Sequence, residues 1–462
     1  MSQIDGPDTP QAPGDQRAPL FQGARGLAVK ILTRIEQSDA YLDKLLDHEL
    51  NSRELNDMDR RLLTELATGV LRWQARLDWV LTGFYHGEFI KCIPVVRNAL
   101  RVALYQILFL DRIPHSAAVN ESVEIVKRLK GERSASVVNG VLRSVIRRLD
   151  AITYPEAQGD DARYLSIMLS HPQWMVRRWI ARYGAEETEQ LMHANNMRPH
   201  LSLRVNPARA SVDEVIEYLV GRGLKPAASD YLESMVTVDG LSSIGEDKLF
   251  RDGAYSIQDE GAALAARLAD VRPGMRVIDL CAAPGGKSTA MAERMDGMGE
   301  VIAVDKYESK LRLIASASTR LGLDEVIRPT QGDARTIEME PADVVVVDAP
   351  CSGLGVLCKK PDIKWKRTPN DIEGMTRLQH EILDNGARLV KPGGHLIYST
   401  CTIEPAENQE IVERFLAEHP EFELVPASEV LPASVVEDGY LQTYPHRHHI
   451  DGTFGARLRR RL

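Results

Sequence analysis

Residues 277–289 read Val-Ile-Asp-Leu-Cys-Ala-Ala-Pro-Gly-Gly-Lys-Ser-Thr, a strand pattern that runs into a turn of small residues and opens a helix. Gly285 and Gly286 carry no side chain, so their backbone can approach a ligand closely while amide groups of the new helix face it. Asp305 ends the next predicted strand, where a carboxylate can accept hydrogen bonds from both hydroxyls of a ribose. This stretch predicts an α/β domain that binds a nucleoside.

Two other kinds of nucleotide site are disfavoured by single residues of the same turn. Gly286, Lys287 and Ser288 resemble the end of a phosphate-binding P-loop, but that motif requires glycine where Cys281 stands. A nicotinamide site would carry the pattern G-x-G-x-x-G, whereas this turn has Ala282, Ala283 and Pro284 before its glycine pair. We therefore predict a nucleoside cofactor without a pyrophosphate, a description that S-adenosylmethionine fits.

The chain beyond Gly274 has the alternation of strands and helices that is typical of a parallel sheet. Short β-rich runs are separated by stretches that can hold crossover helices, and the runs cover residues 276–280, 300–305, 325–328, 343–348 and 395–399. We predict a doubly wound, Rossmann-like α/β domain over residues 263–462. Asp333 follows the third run, where an acid can accept from an adenine amino group; the alternative is a solvated loop acid.

Two cysteines directly follow two of these predicted strands. Asp348-Ala349-Pro350-Cys351 ends one strand, and Ser399-Thr400-Cys401 ends the next. Ligands of open α/β sheets bind at the carboxyl ends of the strands, so both thiols are predicted to face the same crevice as the cofactor. The alternative is a pair of buried, inert cysteines.

A thiol pair beside such a cofactor suits methyl transfer to C5 of cytosine. C5 is too poor a nucleophile alone, but a thiolate that adds at C6 converts the ring to a reactive enamine. Free cysteine has a pKa near ~8.5, so a nearby cation or helix terminus must lower it. Asp348 is a candidate donor to cytosine N3 if burial raises its pKa. The second thiol, or a water that it orients, can assist the final elimination.

The charge is uneven along the 462 residues, a length that predicts two or three domains. A formal net charge of −9 argues against wholesale coating of nucleic acid. Residues 25–150 nevertheless contain 20 Lys and Arg against 16 Asp and Glu. Any contact with RNA is therefore predicted to be local.

Five cysteines, without a C-x-x-C pair or zinc-like spacing, predict reduced thiols in a cytoplasmic protein and no metal site. His446, His448 and His449 are predicted to be structural or to face RNA.

No apolar stretch has the length of a signal peptide or a membrane span, so no membrane partner is expected. The sequence identifies no protein partner.

Three regions precede the α/β domain. Residues 1–23 predict a disordered tail, and residues 24–150 carry apolar side chains at helical spacing, which predicts an all-helical bundle with Asn120 as one N-cap. Residues 160–262 predict a small α+β connecting module, with a strand at 201–205 and a helix at 212–221 capped by Ser211. Trp174 and Trp179, in a predicted helix at 164–183, are expected to pack in a core.

The chain resembles the bacterial Fmu (Sun) family of small-subunit ribosomal RNA cytosine-C5 methyltransferases over nearly everything after the tail. The helical region resembles the RNA-binding antitermination fold of NusB, through Ala117-Ala118-Val119-Asn120-Glu121 and Val137-Val138-Asn139-Gly140. Ser202-Leu203-Arg204-Val205-Asn206 and Ser256-Ile257-Gln258-Asp259-Glu260 resemble the family's connecting region. The resemblance implies a methyltransferase domain of class I that uses S-adenosylmethionine and acts on 16S (small-subunit) ribosomal RNA.

The resemblance also implies roles for single residues. Cys401 is the attacking thiol, and Cys351 assists release. A nucleophilic cysteine that follows threonine is typical of the RNA enzymes, since DNA cytosine methyltransferases attack from a cysteine that follows proline. The implied cofactor site consists of Cys281, Ala282, Ala283, Pro284, Gly285, Gly286, Lys287, Asp305, Asp333 and Asp348.

Further matches lie at Pro361-Asp362-Ile363-Lys364-Trp365, in a basic loop predicted to hold the substrate strand, and at Asp451-Gly452-Thr453-Phe454. The family more often has an aromatic residue in place of Thr453, and two arginines and a histidine in place of residues 358–360. Two other functions stay open on the motifs: the same chemistry on transfer RNA, and a non-catalytic RNA-binding assembly factor.

Overall fold

A computed structural model describes residues 21–157 and 159–462, and the chain divides after Glu156 into two units. Most of the predicted disordered tail, residues 1–20, lies outside the described residues. The first helix begins at Gly23, at the end of that predicted tail.

The first unit is helical, as predicted, and its described residues contain no strand. Leu27, Ile31 and Ile35 recur on the buried face of the first helix, and nearly every side chain of the fifth helix is buried. That central helix starts with Pro94 at its first position, where the missing amide hydrogen costs nothing. The helices are α1 (Gly23–Gln37), α2 (Leu42–Asn51), α3 (Asp57–Arg72), α4 (Gln74–Phe84), α5 (Pro94–Phe109) and α6 (His115–Arg147).

Helix α6 is kinked at Gly131, whose φ of 79° and ψ of 176° are not helical. Asn120 lies inside this helix, so its predicted role as an N-cap is wrong. At the other end, Arg143, Arg147 and Arg148 are exposed and form a local cluster of positive charge.

The second unit begins with three helices and a four-stranded antiparallel sheet of order β2-β3-β1-β4. Ser211 caps α10 as predicted, in a reciprocal capping box with Glu214. The predicted helix at 164–183 is two helices, because the chain turns at residues 169–172. The elements are α7 (Asp161–Met168), α8 (Gln173–Tyr183), α9 (Ala185–Asn195), β1 (Leu201–Val205), α10 (Val212–Gly221), β2 (Ala227–Ala228), β3 (Met235–Val238), α11 (Lys248–Arg251) and β4 (Tyr255–Ile257).

The remainder of the second unit surrounds a nine-stranded mixed sheet, which confirms the predicted α/β class. The path is β11-β12-β13-β9-β8-β5-β6-β7, with β10 paired to β13. The elements are α12 (Glu260–Arg267), β5 (Arg276–Asp279), α13 (Gly286–Ala292), β6 (Glu300–Asp305), α14 (Glu308–Leu321), β7 (Ile327–Gln331), β8 (Ala342–Asp348), α15 (Ile363–Lys366), α16 (Pro369–Arg388), β9 (Val390–Thr400), α17 (Gln409–Glu418), β10 (Phe422–Val425), β11 (Val436–Glu437), β12 (Tyr440–Gln442), α18 (Pro445–His448) and β13 (Phe454–Arg460).

Strands β5 to β9 are parallel neighbours, so their carboxyl ends share one edge of the sheet. The order reverses at β5, which pairs with β6 on one side and β8 on the other. Ligands of open α/β sheets bind at such a switch point. The third strand begins at Ile327 and not at residue 325, because residues before it still belong to the turn after α14.

Apolar side chains cover both faces of this sheet. One cluster packs Leu264, Met291 and Ile314 against one face, and another packs Leu383, Val412 and Phe415 against the other. Burial on both faces explains the continuous run Val344 to Val347 in β8. None of the helices among residues 21–157 and 159–462 combines the length and apolar character needed to cross a bilayer.

Candidate active site

The turn between β5 and α13 lies at the switch point of the large sheet. Ala282 N donates to Val304 O at 2.9 Å, and Gly285 N donates to Ala282 O at 2.7 Å, which closes the turn tightly. Gly285 has a φ of +106°, a conformation that a side chain would oppose. The turn therefore needs glycine at residue 285, directly before α13.

Asp279, which the sequence prediction omitted, stabilises this turn through a hydrogen bond to α13. Its side chain is fully buried at the end of β5 and accepts a hydrogen bond of 2.6 Å from Ser288 Oγ in α13. Burial raises the pKa of Asp279 to about 6, against the hydrogen bond from Ser288, which lowers it. Asp279 thus joins strand and helix around the turn.

A second brace comes from the four-stranded sheet. Arg204 in β1 donates to Gly286 O at 2.9 Å and to Thr289 Oγ1 at 3.0 Å. It also forms a buried ion pair with Glu293 at 2.8 Å, with each side chain only 4% exposed. The small sheet is thereby fastened to the helix that carries the turn.

Two of the three acids predicted for the cofactor lie at neighbouring strand ends. Asp305 ends β6, is buried, and accepts from Tyr307 N at 3.0 Å. Asp333 follows β7, and both its carboxylate oxygens are engaged by Arg335, at 3.0 and 2.7 Å. The Arg335 guanidinium holds the pKa of Asp333 well below its usual range. A ligand that reaches Asp333 must share it with Arg335.

The two predicted catalytic cysteines lie side by side. Cys351 Sγ and Cys401 Sγ are 3.3 Å apart; Cys401 is exposed to solvent and Cys351 is half-buried. The hydrogen bond from Cys351, helped by the positive charges of Lys287 and Lys360, lowers the pKa of Cys401. The same hydrogen bond, together with burial, raises the pKa of Cys351 well above that of a free thiol. The two shifts mark Cys401 as the more acidic thiol of the pair.

Lys287 and Asp348 form the charged pair of the site. Lys287 Nζ lies 2.7 Å from Asp348 Oδ2, and Ser399 Oγ donates to Asp348 Oδ1 at 3.0 Å. Burial alone would lower the pKa of Lys287, but the Asp348 carboxylate outweighs it and the pKa is raised. Asp348 therefore faces a cation and a hydroxyl donor.

Cys281, in the cofactor turn, differs from both cysteines of the pair. Burial, with Asp279 and Asp348 nearby, raises the pKa of Cys281 far above its ordinary value. Such a thiol stays protonated, so it is unsuited to act as a nucleophile.

Three loops meet around the cysteine pair. Gly355 N donates to Cys401 O at 3.0 Å, and Gly452 N donates to Gly355 O at 2.8 Å. A methyl group on Gly355 would lie 2.0 Å from Gly452 O, so only glycine permits this approach. Lys359 adds a clamp by binding Asp259 and Asp451, and burial raises the pKa of Asp451 to about 7.

A buried carboxylate that the sequence prediction missed lies beneath the pair. Glu407 is fully buried and accepts from Ser352 N at 2.8 Å and from Gln379 Nε2 at 3.0 Å. Its only sequence signal is an acid six residues after Cys401, which is indistinguishable from a surface glutamate.

The predicted substrate-holding role of the 361–365 loop is wrong for Lys364. This lysine is fully buried and donates to Ser170 O at 3.0 Å and to Asn196 Oδ1 at 3.1 Å. It therefore fixes the loop to the preceding helices. Trp179 is 1% exposed and packs in the core, as predicted, beside Leu354 and Ile403 of the cysteine loops.

His446 and His448, near the carboxyl terminus, contact other residues of the protein. His446 Nε2 lies 2.9 Å from Glu187 Oε1, and His448 Nδ1 accepts from Tyr444 N at 2.9 Å. Within the part of the chain that the structure describes, no three His, Cys, Asp or Glu side chains group so as to hold a metal ion.

Three family models match successive parts of the chain. They are the NusB family over residues 22–147, the ferredoxin-like domain of RsmF/B-like methyltransferases over residues 171–244, and the 16S rRNA methyltransferase RsmB/F model over residues 266–459.

Several known proteins are similar to this chain over almost its full length. A Bacillus subtilis (strain 168) protein named probable ribosomal RNA small subunit methyltransferase B is 40% identical over 446 residues, which cover 95% of this chain and 98% of that protein. Ribosomal RNA small subunit methyltransferase B of Klebsiella pneumoniae (strain 342) is 33% identical, covering 95% of this chain and 98% of its own. The crystal structure of PH0851 superposes with a TM-score of 0.80 and 28% identity, covering 94% of this chain and 98% of that one. This chain, with its helical, ferredoxin-like and methyltransferase parts, belongs to the RsmB/F family of 16S rRNA methyltransferases.

Proposed function

We propose that this chain transfers a methyl group from S-adenosylmethionine to C5 of a cytosine in 16S ribosomal RNA, through a covalent bond between Cys401 and C6. The observation that carries the proposal is the contact of 3.3 Å between Cys351 Sγ and Cys401 Sγ at the carboxyl ends of two parallel strands. The opposite directions in which the two pKa values move support a different role for each thiol.

The residues at the switch point fit a nucleoside cofactor. The backbone of residues 281–287 would hold the amino-acid part, because Gly285 and Gly286 present no side chains there. Asp305 would accept from the ribose hydroxyls, and Asp333 would accept from the adenine amino group while keeping Arg335. When bound, S-adenosylmethionine supplies an electrophilic methyl group.

Cys401 would attack C6 of the cytosine as a thiolate. Its lowered pKa increases the thiolate fraction near neutral pH, and its exposure leaves the sulfur open to a base. Addition at C6 moves electron density to N3 and makes C5 nucleophilic. Asp348 would hold Lys287 Nζ in place, and an N–H of Lys287 would donate to the negative charge that develops at N3.

Cys351 would act after the methyl group has reached C5. That carbon then carries a hydrogen that must leave as a proton, so that the C5–C6 double bond forms again and Cys401 departs as a thiolate. The Cys351 thiol, which stays protonated, would orient a water beside Cys401 that takes this proton and releases it to solvent.

The name shared by the similar proteins favours small-subunit ribosomal RNA as the substrate. A base joined to Cys401 must be out of its stack, so an accessible loop in free RNA is preferred over a continuous duplex. A cytoplasmic site of action goes with this substrate.

The nucleophile can be tested by substitution of Cys401. Cys401→Ala should abolish 5-methylcytosine formation, whereas Cys92→Ala, a buried thiol of the helical unit, should leave it intact. Full activity of Cys401→Ala in a tritium-transfer assay would overturn the assignment.

The release step predicts a different failure. Cys351→Ala should leave methylated RNA attached to Cys401 as an adduct that survives denaturing electrophoresis, because addition proceeds and elimination does not. Normal turnover without a trapped species would remove Cys351 from the mechanism.

The substrate can be separated from the two alternatives in cells. Bisulfite sequencing of total RNA from a strain that lacks the gene identifies the cytosine that loses protection. Loss only in transfer RNA would contradict the ribosomal substrate. A protein that fails to bind S-adenosylmethionine in calorimetry would favour the non-catalytic assembly factor.

A further inference from the structure

The residues that follow the two catalytic cysteines are joined by a buried hydrogen-bond network. Ser352 Oγ and Thr402 Oγ1 lie 2.8 Å apart, and both side chains are fully buried. Ser352 is the residue after Cys351, and Thr402 is the residue after Cys401. Any force that fixes this pair of hydroxyls therefore also fixes the relative position of the two sulfurs.

The Glu407 carboxylate is the acceptor at the end of this hydrogen-bond network. Its carboxylate accepts from Ser352 N at 2.8 Å and from Ser352 Oγ, so it holds both the backbone and the side chain of that residue. Because Ser352 Oγ donates to Glu407, its remaining partner Thr402 must donate to Ser352. One carboxylate thus orients both hydroxyls.

Glu407 is itself held firmly in place. Gln379 in α16 donates to its carboxylate at 3.0 Å and to Pro350 O at 2.9 Å, while Tyr398 in β9 donates to Glu407 O at 2.7 Å. These contacts connect the turn that carries Cys351 with the strand that precedes Cys401. A buried acid with several fixed donors is a rigid support for a nearby reacting group.

We propose that Glu407 is a positioning residue that holds the Cys351 thiol against Cys401 and thereby sets both the activation of the nucleophile and its release. Glu407 lies behind Ser352 and is fully buried, so its carboxylate is not open to a substrate base. This inference rests on the proposed function for its consequence in turnover, but its geometric part concerns the protein without RNA.

The test compares Glu407→Gln with Glu404→Gln in the intact chain. Glu404 is a matched control, because it lies in the same segment after Cys401, is also buried, and binds Arg178 and Trp179 in α8 instead of Ser352. In Glu407→Gln the amide NH₂ faces donors of Ser352, so the Cys351 turn should shift. Loss of stability is expected in both variants.

The first measurement is the pH dependence of iodoacetamide alkylation at Cys401, followed by peptide mass spectrometry without RNA. Glu407→Gln should raise the midpoint, because Cys401 loses the hydrogen bond from Cys351, and Glu404→Gln should not. Ser352→Ala, which removes only a hydroxyl of the network, should give a smaller change in the same direction and replaces Glu407→Gln if that variant does not fold.

The second measurement is turnover on in vitro transcribed 16S ribosomal RNA. Glu407→Gln should lose on the order of 10²-fold in turnover, as expected for a displaced reacting group, and accumulate the Cys401 adduct. An unchanged alkylation midpoint in Glu407→Gln, or equal shifts in both variants, would overturn the positioning role. If the wild-type protein forms no 5-methylcytosine in this RNA while the alkylation midpoint still separates the variants, the proposed function fails and the positioning role stands.

Discussion

A single lysine adds to the effect of Cys351 on the thiol of Cys401. Lys287 is held 2.7 Å from Asp348 and contributes positive charge near Cys401. Its place in Gly-Gly-Lys suggested only the cofactor turn in the sequence. In the structure its charge also acts on Cys401.

Replacing Lys287 should therefore weaken the nucleophile. In Lys287→Met the pKa of Cys401 should rise, on the order of one pH unit, because a cation is lost and Asp348 is left without its partner. The pH dependence of Cys401 alkylation measures this shift. Lys391→Met removes a similar ion pair, with Asp343 at the opposite end of β8, and should leave the midpoint unchanged. Equal midpoints in all three proteins would refute the role of Lys287.

Asp279 makes a prediction about stability and pH. Its pKa is raised by burial from 3.8 to about 6, so the stability that it contributes is complete below pH 3.8 and is lost as the pH rises through 6. Asp279→Asn keeps an acceptor for Ser288 and removes the buried charge. Relative to the wild type, its free energy of unfolding should improve by about 3 kcal/mol between pH 4 and pH 8. Denaturant titrations at both pH values test this, and a difference that is constant with pH would contradict it.

At the scale of elements, the sequence predicted the features that depend on strand ends. The ends of β5, β6, β8 and β9 follow from short apolar runs, and parallel pairing brings their carboxyl ends together. The brief strands β2 and β4 escaped prediction, because two or three residues carry no alternation that can be recognised.

Buried polar residues escaped prediction for a related reason. Glu407 and Lys364 are fully buried, yet their charges suggest a surface position in a sequence. Their burial depends on acceptors and donors far along the chain, such as Ser170 O for Lys364. No local pattern encodes such partners.

The meeting of three loops at Gly355 predicts a sharp effect of one methyl group. Gly355→Ala would place a carbon 2.0 Å from Gly452 O and 2.9 Å from Cys401 O, so the loops must separate. We expect a destabilisation of about 1–3 kcal/mol and a loss of methylation on the order of 10²-fold. Gly374→Ala in α16, where a methyl group meets open space, should be stabilising and fully active. Thermal unfolding and methylation assays of both variants decide this; normal activity of Gly355→Ala would contradict the close approach.

For the whole molecule, the surplus of positive charge and the candidate active site lie in different parts of the chain. All residues of the candidate active site belong to the unit that begins at Ala157. Residues 25–150 hold a surplus of four positive charges, although the chain as a whole has a net charge of −9. Electrostatic attraction of RNA phosphates should therefore come mainly from the helical unit.

The exposed arginines at the end of α6 give this division a direct test. Arg143→Glu combined with Arg147→Glu should weaken RNA binding and reduce the slope of log K against log salt by about 2, since each phosphate contact contributes about 0.9. Binding of S-adenosylmethionine should not change. Arg459→Glu combined with Arg461→Glu alters the net charge equally on the other unit, where both side chains are also exposed and lie near Glu423. Filter binding over a range of salt should show a reduced slope only for the first pair; equal slopes for the two pairs would mean that net charge, and not this local cluster, attracts the RNA.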